Sequence, residues 1–368
     1  MAIGYARYSF DVLGFYRDEP SDDDISFSVS LNEQEVKAWL GVREGAAHEC
    51  SLVVIHEVAL NPPREAALID IGSHRLPANS RYQEIDYVAT RWPDPAYFFN
   101  EGVALPFVTL PSSLQTLFRD EFSLLTEASR RIIWALRWRF GVEGPLNWST
   151  GNKFEFSLDG KSFFPASHQL ALYSTTSREG ALLSTETAGE VARLASGDAD
   201  WLPHELLREA REQSEGKIRS ALLLSVAAVE IGVKRLVAKR APSASWLVVE
   251  APSPPIVKII EEYLPTLNDE LNSRFVLKPA VLDDLRKAVN LRNMLAHRGE
   301  ANIKFDWLHS WLRRCYDLLY LFDYLAGETW AARYAELHLV VEPVGDQGLP
   351  FEHFDEKRGR WVAINPMA

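Results

Sequence analysis

Cysteine is nearly absent from this chain: Cys50 and Cys315 are the only two in 368 residues. Two thiols cannot build a disulfide framework or a cysteine-rich zinc site. A reducing compartment is therefore expected. Basic excess is also lacking. Lysine and arginine number 39 against 51 aspartates and glutamates, a formal net charge of −12. That balance argues against a broad, non-specific nucleic-acid binder and leaves room for a small basic site. Long hydrophobic runs are missing as well. The best candidate, 221–233, is broken by Ser225 and Glu230 and is shorter than the ~18 residues of a membrane span. Residues 1–10 show no charged start followed by an apolar core, so no signal peptide is expected. A soluble cytoplasmic protein without a membrane partner follows as the expectation.

Several short motifs lack a required member. Gly160-Lys161-Ser162 matches the end of a phosphate-binding loop, but the glycine needed at position 155 is Glu155, and a hairpin turn explains the run better. His204-Glu205 opens a helical stretch, yet Arg208 stands where a zinc protease needs its second histidine. His48, Cys50 and His56 lie close in sequence. His56 falls on an apolar strand face, where a hydrogen-bonded core histidine is expected rather than a metal ligand. No Gly-x-Ser-x-Gly elbow occurs. No metal and no cofactor are expected.

What is present is an ordinary globular composition, 47% hydrophobic and 24% charged, in a chain long enough for two domains. The pattern predicts an α+β protein. Residues 1–195 read as an N-terminal α+β domain, strand-rich to about 110. Residues 25–30 and 52–58 alternate at period two. Pro62-Pro63, Arg91-Trp92-Pro93 and Asp94-Pro95 mark loops. One long amphipathic helix is predicted over 113–140, stopped by Gly141. A hairpin follows, with strands 153–158 and 161–164 about Asp159-Gly160.

Residues 198–335 read as an all-α bundle, with the chain turning helical from about 185. Helices are predicted near 186–196, 203–214, 217–240, 255–264, 279–298 and 305–334, punctuated by prolines 242, 252, 254, 255 and 265. The 217–240 helix is apolar nearly all round and should be central. Aromatics of 305–334, such as Trp307, Trp311 and Tyr320, fit core packing better than base stacking. Residues 336–368 read as a tail with short strands at 337–341 and 360–364.

Within 279–298 lies the most informative stretch, Arg292-Asn293-Met294-Leu295-Ala296-His297. Pro279 suits a first turn, and Gly299 suits a stop. Projected at ~100° per residue, Val281, Leu282, Leu285, Ala288, Val289, Leu291, Leu295 and Ala296 fill one apolar arc. Arg286, Asn290, Asn293 and His297 form a polar stripe, and Arg292 falls inside the apolar arc. Arg292 and His297 are five apart and diverge by roughly 140° on a straight helix. Either Arg292 reaches across, or a second copy supplies the complementary group. A guanidinium and an imidazole together suit phosphodiester chemistry without a metal. The plainer alternative has Arg292 anchoring a buried carboxylate and His297 capping the helix C-terminus.

Glu230, alone on an apolar helix, must find a cation. Lys234 at i+4 and Arg292 from another helix are the two choices. Around the motif, Arg274, Lys278, Arg286, Lys287, Arg298 and Lys304 outnumber the nearby carboxylates.

Arg292, a polar residue, three residues and His297, in a helical bundle with an apolar helix carrying Glu230, resembles the HEPN domain family over about residues 200–335. The resemblance implies a metal-independent endoribonuclease, a toxin or defence effector, with Arg292, Asn293 and His297 catalytic and Glu230 behind Arg292. RNA, with Arg286, Lys287, Asn290 and Arg298 as its candidate contacts, a homodimer partner through the bundle and an inhibitory partner are the implied partners. Some members of the family serve as binding modules without activity. That is the alternative here, with the N-terminal domain sensing a ligand or partner. In a third reading the N-terminal half carries the activity and the bundle only dimerises.

Overall fold

The computed structural model describes residues 2–17, 25–42, 49–85, 94–100, 104–141, 149–167, 181–183, 188–197, 201–244, 246, 255–267, 273–299, 301–344, 352–355 and 360–363. His48, Arg91-Trp92-Pro93, Pro252, Pro254 and Ile364 lie outside them. The fold is α+β. The chain divides into two compact units, Met1–Arg137 with Asn147–Asp198, and Trp138–Leu146 with Ala199–Ala368.

The first unit is built on a mainly antiparallel sheet. Its strands are β1 (Ala2–Arg17), β2 (Ile25–Leu31), β3 (Gln34–Val42), β4 (Glu49–Leu60), β5 (Ser149–Ser157) and β6 (Phe164–Ser167), in the order β2-β3-β4-β1-β5-β6. A short β7 (Ala181–Leu183) pairs in parallel with the end of β1. Alternation sets the faces. Ala6, Tyr8, Phe10 and Val12 of β1 are buried, and β4 presents Leu52, Val54 and His56 in register opposite Phe10, Tyr8 and Ala6. The long helix α2 (Ser112–Phe140) covers this face. Phe118 and Phe122 of α2 meet Tyr8, Phe154 and Phe156 at ring distances of 5.4–6.0 Å. His56 Nδ1 lies 2.7 Å from Glu121 Oε2 in this core, the hydrogen-bonded role its strand position predicts.

Two expectations in this unit need correction. Pro62-Pro63 is not a loop. It opens α1 (Pro62–Gly72), where Asn61 caps the first turn by accepting from the Arg64 amide at 3.0 Å. Proline fits there because its missing N–H has no intrahelical partner to lose. The strand-rich region accordingly ends at Leu60 rather than near 110. The hairpin turn is also wider than two residues, because Asp159 Oδ1 collects the amides of Lys161 and Ser162 at 2.8 and 2.7 Å. These bonds hold the Asp159 carboxyl well below its usual range. The amides of the phosphate-loop lookalike are thus already occupied. Helix α3 (Ala188–Ser196) packs on β2, with the Ser30 amide donating to Ser196 Oγ.

The second unit is helical: α4 (Leu202–Gln213), α5 (Ile218–Arg240), α6 (Pro279–Arg298) and α7 (Phe305–Leu325). Helix α5 is the core helix, burying Ala221, Leu222, Val226, Val229, Val233 and Leu236. Its Ser225 accepts from buried Trp311 Nε1 at 2.9 Å, which satisfies both polar groups inside the bundle. Trp311, Tyr320 and Phe322 are core residues. A shorter helical stretch runs through Ile256–Lys258, a π turn at Ile259–Tyr263, and Leu264–Leu267. Pro265 lies inside it, not in a loop. Proline deletes a helical donor, and the wider turn stands directly before it.

Helix α7 ends at Leu325, nine residues before the predicted end at 334. Gly327 takes φ +103 and a 3-10 turn, Thr329–Arg333, follows. Leu337–Leu339 is a 3-10 turn rather than a strand, and β9 (Val341–Pro343) pairs with β8 (Phe275–Leu277). A last hairpin joins β10 (Glu352–Asp355) to β11 (Arg360–Ala363). No described helix is long and apolar enough to cross a membrane.

Candidate functional site

Helix α6 carries the Arg-Asn-x3-His stretch. Its start is fixed by Pro279 in the first turn. Its end is fixed by Gly299, whose φ of +71 and amide bond to Leu295 O at 3.0 Å form a left-handed C-cap. His297 and Arg298 sit in the last turn, where a cation meets the negative end of the helix dipole.

Burial falls along the helix. Val281, Leu285 and Ala288 are buried. From Val289 to Arg298 none is, and Met294, Ala296, His297 and Arg298 are exposed. The apolar arc is therefore fully buried within this chain only over its first half, and Val289, Leu291 and Leu295 are half-covered.

Arg292 turns toward α5. Its Nη2 lies 3.2 Å from Glu230 Oε2, with the side chains 21% and 14% exposed. Lys234 Nζ takes the other oxygen, Glu230 Oε1, at 3.1 Å. Both cations weighed for Glu230 thus bind it together. Asn293 is half-buried and His297 exposed. His297 makes no hydrogen bond or ion pair among the described residues. One helix consequently separates the guanidinium and the imidazole, as their five-residue spacing requires.

The candidate RNA contacts divide. Asn290 and Arg298 are exposed. Arg286 is held by Asp283 at 2.8 Å and by Glu261, so two carboxylates offset its charge. Lys287 lies over the Trp307 ring at 4.3 Å, and Trp307 Nε1 donates to Asp284 at 2.9 Å. These contacts tie α6 to α7. Among the described residues no group of three His, Cys, Asp or Glu side chains is arranged to hold a metal ion.

A second polar cluster in this unit was not anticipated as a site. His204 Nε2 lies 2.8 Å from Asp323 Oδ2, and Trp138 Nε1 donates to the same oxygen at 2.7 Å. In the sequence His204 figures only in an incomplete zinc motif. Asp323, a carboxylate on the buried side of an aromatic helix, was the signal that could have located the pair. Comparison with protein-family models, with curated proteins and with solved structures gives no match to this chain.

Proposed function

We propose that the helical unit is a HEPN-type endoribonuclease that cleaves RNA without a metal, acting in the cytoplasm as a toxin or defence effector. The observation that carries this reading is the posture of α6. Glu230 positions a half-buried guanidinium, and an imidazole without a bond among the described residues stands exposed five residues further along the helix. Arg292 would stabilise charge building on the phosphate oxygens. His297 would move the proton of the 2′-hydroxyl or of the leaving 5′-oxygen. Asn293 would hydrogen-bond the phosphate or fix the His297 ring.

Because Arg292 and His297 diverge, the active species in this reading is a two-fold dimer. Such a dimer sets the same patch of α6 against itself. The lack of any buried residue between Val289 and Arg298 supports it, since an apolar arc left half open is suited to a partner surface.

The test is incubation of the purified chain with mixed RNA in excess EDTA, beside His297→Ala. Cleavage is expected to persist in chelator, to leave 2′,3′-cyclic phosphate and 5′-hydroxyl ends, and to spare DNA. Activity lost on chelation and restored by Mg²⁺ would overturn the mechanism.

A second reading, a binding module without catalysis, rests on one observation: within one chain Arg292 is engaged by Glu230 while His297 stands apart. RNA bound but left intact by wild type, with affinity lowered by Arg292→Ala, would favour it. An inhibitory partner and a sensing role for the sheet-bearing unit belong to both readings.

A further inference from the structure

The chain that follows α7 returns to the start of α6. After the 3-10 turns at Thr329–Arg333 and Leu337–Leu339, β9 pairs with β8. Two backbone bonds extend the pairing. The Lys278 amide donates to Val340 O at 2.9 Å, and the Val344 amide to Arg274 O at 3.0 Å. Lys278 is the N-cap residue of α6. Residues 336–344 are thus a strap from the side of α7 to the first turn of the helix that carries Arg292 and His297.

At its α7 end the strap closes over a carboxyl group. The Glu336 amide donates to Asp317 Oδ1 at 2.9 Å. Asp306, Ser310 and Arg313 precede Asp317 by eleven, seven and four residues, so they share its helix face. All three are exposed, whereas Asp317 is 3% exposed. The outward face of α7 is therefore covered only where the returning chain reaches it. Leu337, Val340 and Val341 anchor the strap through buried apolar contacts. The Glu336 side chain also pairs with Arg313, but at 48% and 65% exposure that pair adds little.

Asp317 makes a conditional latch. Burial raises its pKa most, and the Glu336 carboxylate adds to the rise. The Glu336 amide, Arg313 on the same helix and Arg211 on α4 oppose it, and Cys315 and Tyr316 are the neighbouring titratable groups. The carboxyl moves from 3.8 to about 6. Lifting the strap returns it to water and to its ordinary value. With the closed-state pKa raised, the latch gives full support below pH 3.8 and loses it as pH climbs through about 6.

We propose that residues 336–344 are a pH-sensitive strap latched at Asp317, whose opening is suppressed in acid and promoted near neutral pH, loosening the first turn of α6. Under the ribonuclease reading this acts on the helix of the site, but the strap does not depend on that reading.

Amide hydrogen exchange of the full chain, read by mass spectrometry and corrected for intrinsic exchange, tests the strap without RNA. Peptides covering 336–344 and 275–282 are expected to open about tenfold more at pH 7.5 than at pH 5, as a shift from 3.8 to about 6 requires. Both should exchange roughly tenfold or more faster than the core of α5 at either pH, which separates lifting of the strap from unfolding of the unit. Asp317→Asn keeps the acceptor and never ionises, so its strap should open equally at the two pH values. Wild-type opening that does not change with pH overturns the proposal, and needs no variant to be seen. So does protection of 336–344 equal to that of α5, or an Asp317→Asn chain that keeps the wild-type pH dependence.

Discussion

Glu230 accepts two cations at once, Arg292 at 3.2 Å on one oxygen and Lys234 at 3.1 Å on the other. The three side chains are only 13–21% exposed, so the carboxylate is what makes two neighbouring cations tolerable beneath the surface. Glu230→Gln removes that charge and leaves Arg292 and Lys234 facing a neutral amide. Full burial would cost more. At this partial exposure the expected loss is about 1–3 kcal/mol, read from the denaturation midpoint in guanidinium chloride. A change within experimental error would mean that Glu230 does not hold Arg292.

His297 should separate chemistry from folding. Its side chain is exposed at the end of α6 and bonds to nothing among the described residues. His297→Ala is therefore expected to change stability by no more than about 0.5 kcal/mol. Cleavage of RNA should fall by roughly 10²–10⁴, the usual worth of one proton-transfer group. Arg292→Ala should inactivate as well, but with a measurable loss of stability, because Glu230 then keeps one cation instead of two. Wild-type cleavage by both variants would remove α6 from the reaction.

The helices were legible because their information is local. Apolar spacing, a first-turn proline and a C-terminal glycine placed α6 at Pro279–Arg298 as predicted. The isolated carboxylate of Glu230 announced its need for a cation from the sequence alone. Proline signals misled where context overrode them. Pro62-Pro63 became a helix start because Asn61 caps it, and Pro265 was absorbed beside a π turn.

Long-range pairing was out of reach. Residues 119 apart make the His204–Asp323 contact, and no periodicity encodes such a meeting. Strand order in the sheet is likewise non-local. Strand β5 joins β1 from more than 130 residues away, with Tyr8 opposite Phe154.

Asp317 gives a pH prediction. Burial drives its carboxyl from the ordinary 3.8 up to about 6, against the Glu336 amide that donates to it at 2.9 Å. Glu336 adds to the rise, and Arg313 and Arg211 oppose it. A carboxyl whose folded pKa is raised supports the fold fully below pH 3.8 and withdraws that support as pH climbs through about 6. At 1.36 kcal/mol per pKa unit the loss above pH 7 is about 3 kcal/mol. Asp317→Asn keeps the acceptor and never ionises. It is expected to be more stable than wild type by up to about 3 kcal/mol at pH 8, and to lose that advantage near pH 4. Urea midpoints at the two pH values test this, and an equal difference at both would assign the effect to packing.

Dimerisation is the sharpest test of the proposed cooperation between Arg292 and His297. Within one chain they diverge by roughly 140°, and their environments differ to match, one half-buried against Glu230 and the other exposed. The second half of α6 leaves Leu291 and Leu295 half-covered, Met294 37% exposed, and nothing buried after Ala288. A two-fold copy laid on this half would cover those side chains and gather two sets of Arg292, Asn293 and His297 around one groove. Local positive charge would rise there on a chain whose net charge is −12, so binding of RNA should weaken steeply with salt. Specific activity is then expected to fall on dilution in step with the molar mass measured by light scattering. Met294→Asp, which sets two like charges at the two-fold contact, should shift the mass toward monomer and abolish cleavage while each chain stays folded. A monomer that keeps full specific activity would rule out the composite groove and require Arg292 to swing from Glu230 to reach the substrate held by His297 of its own chain.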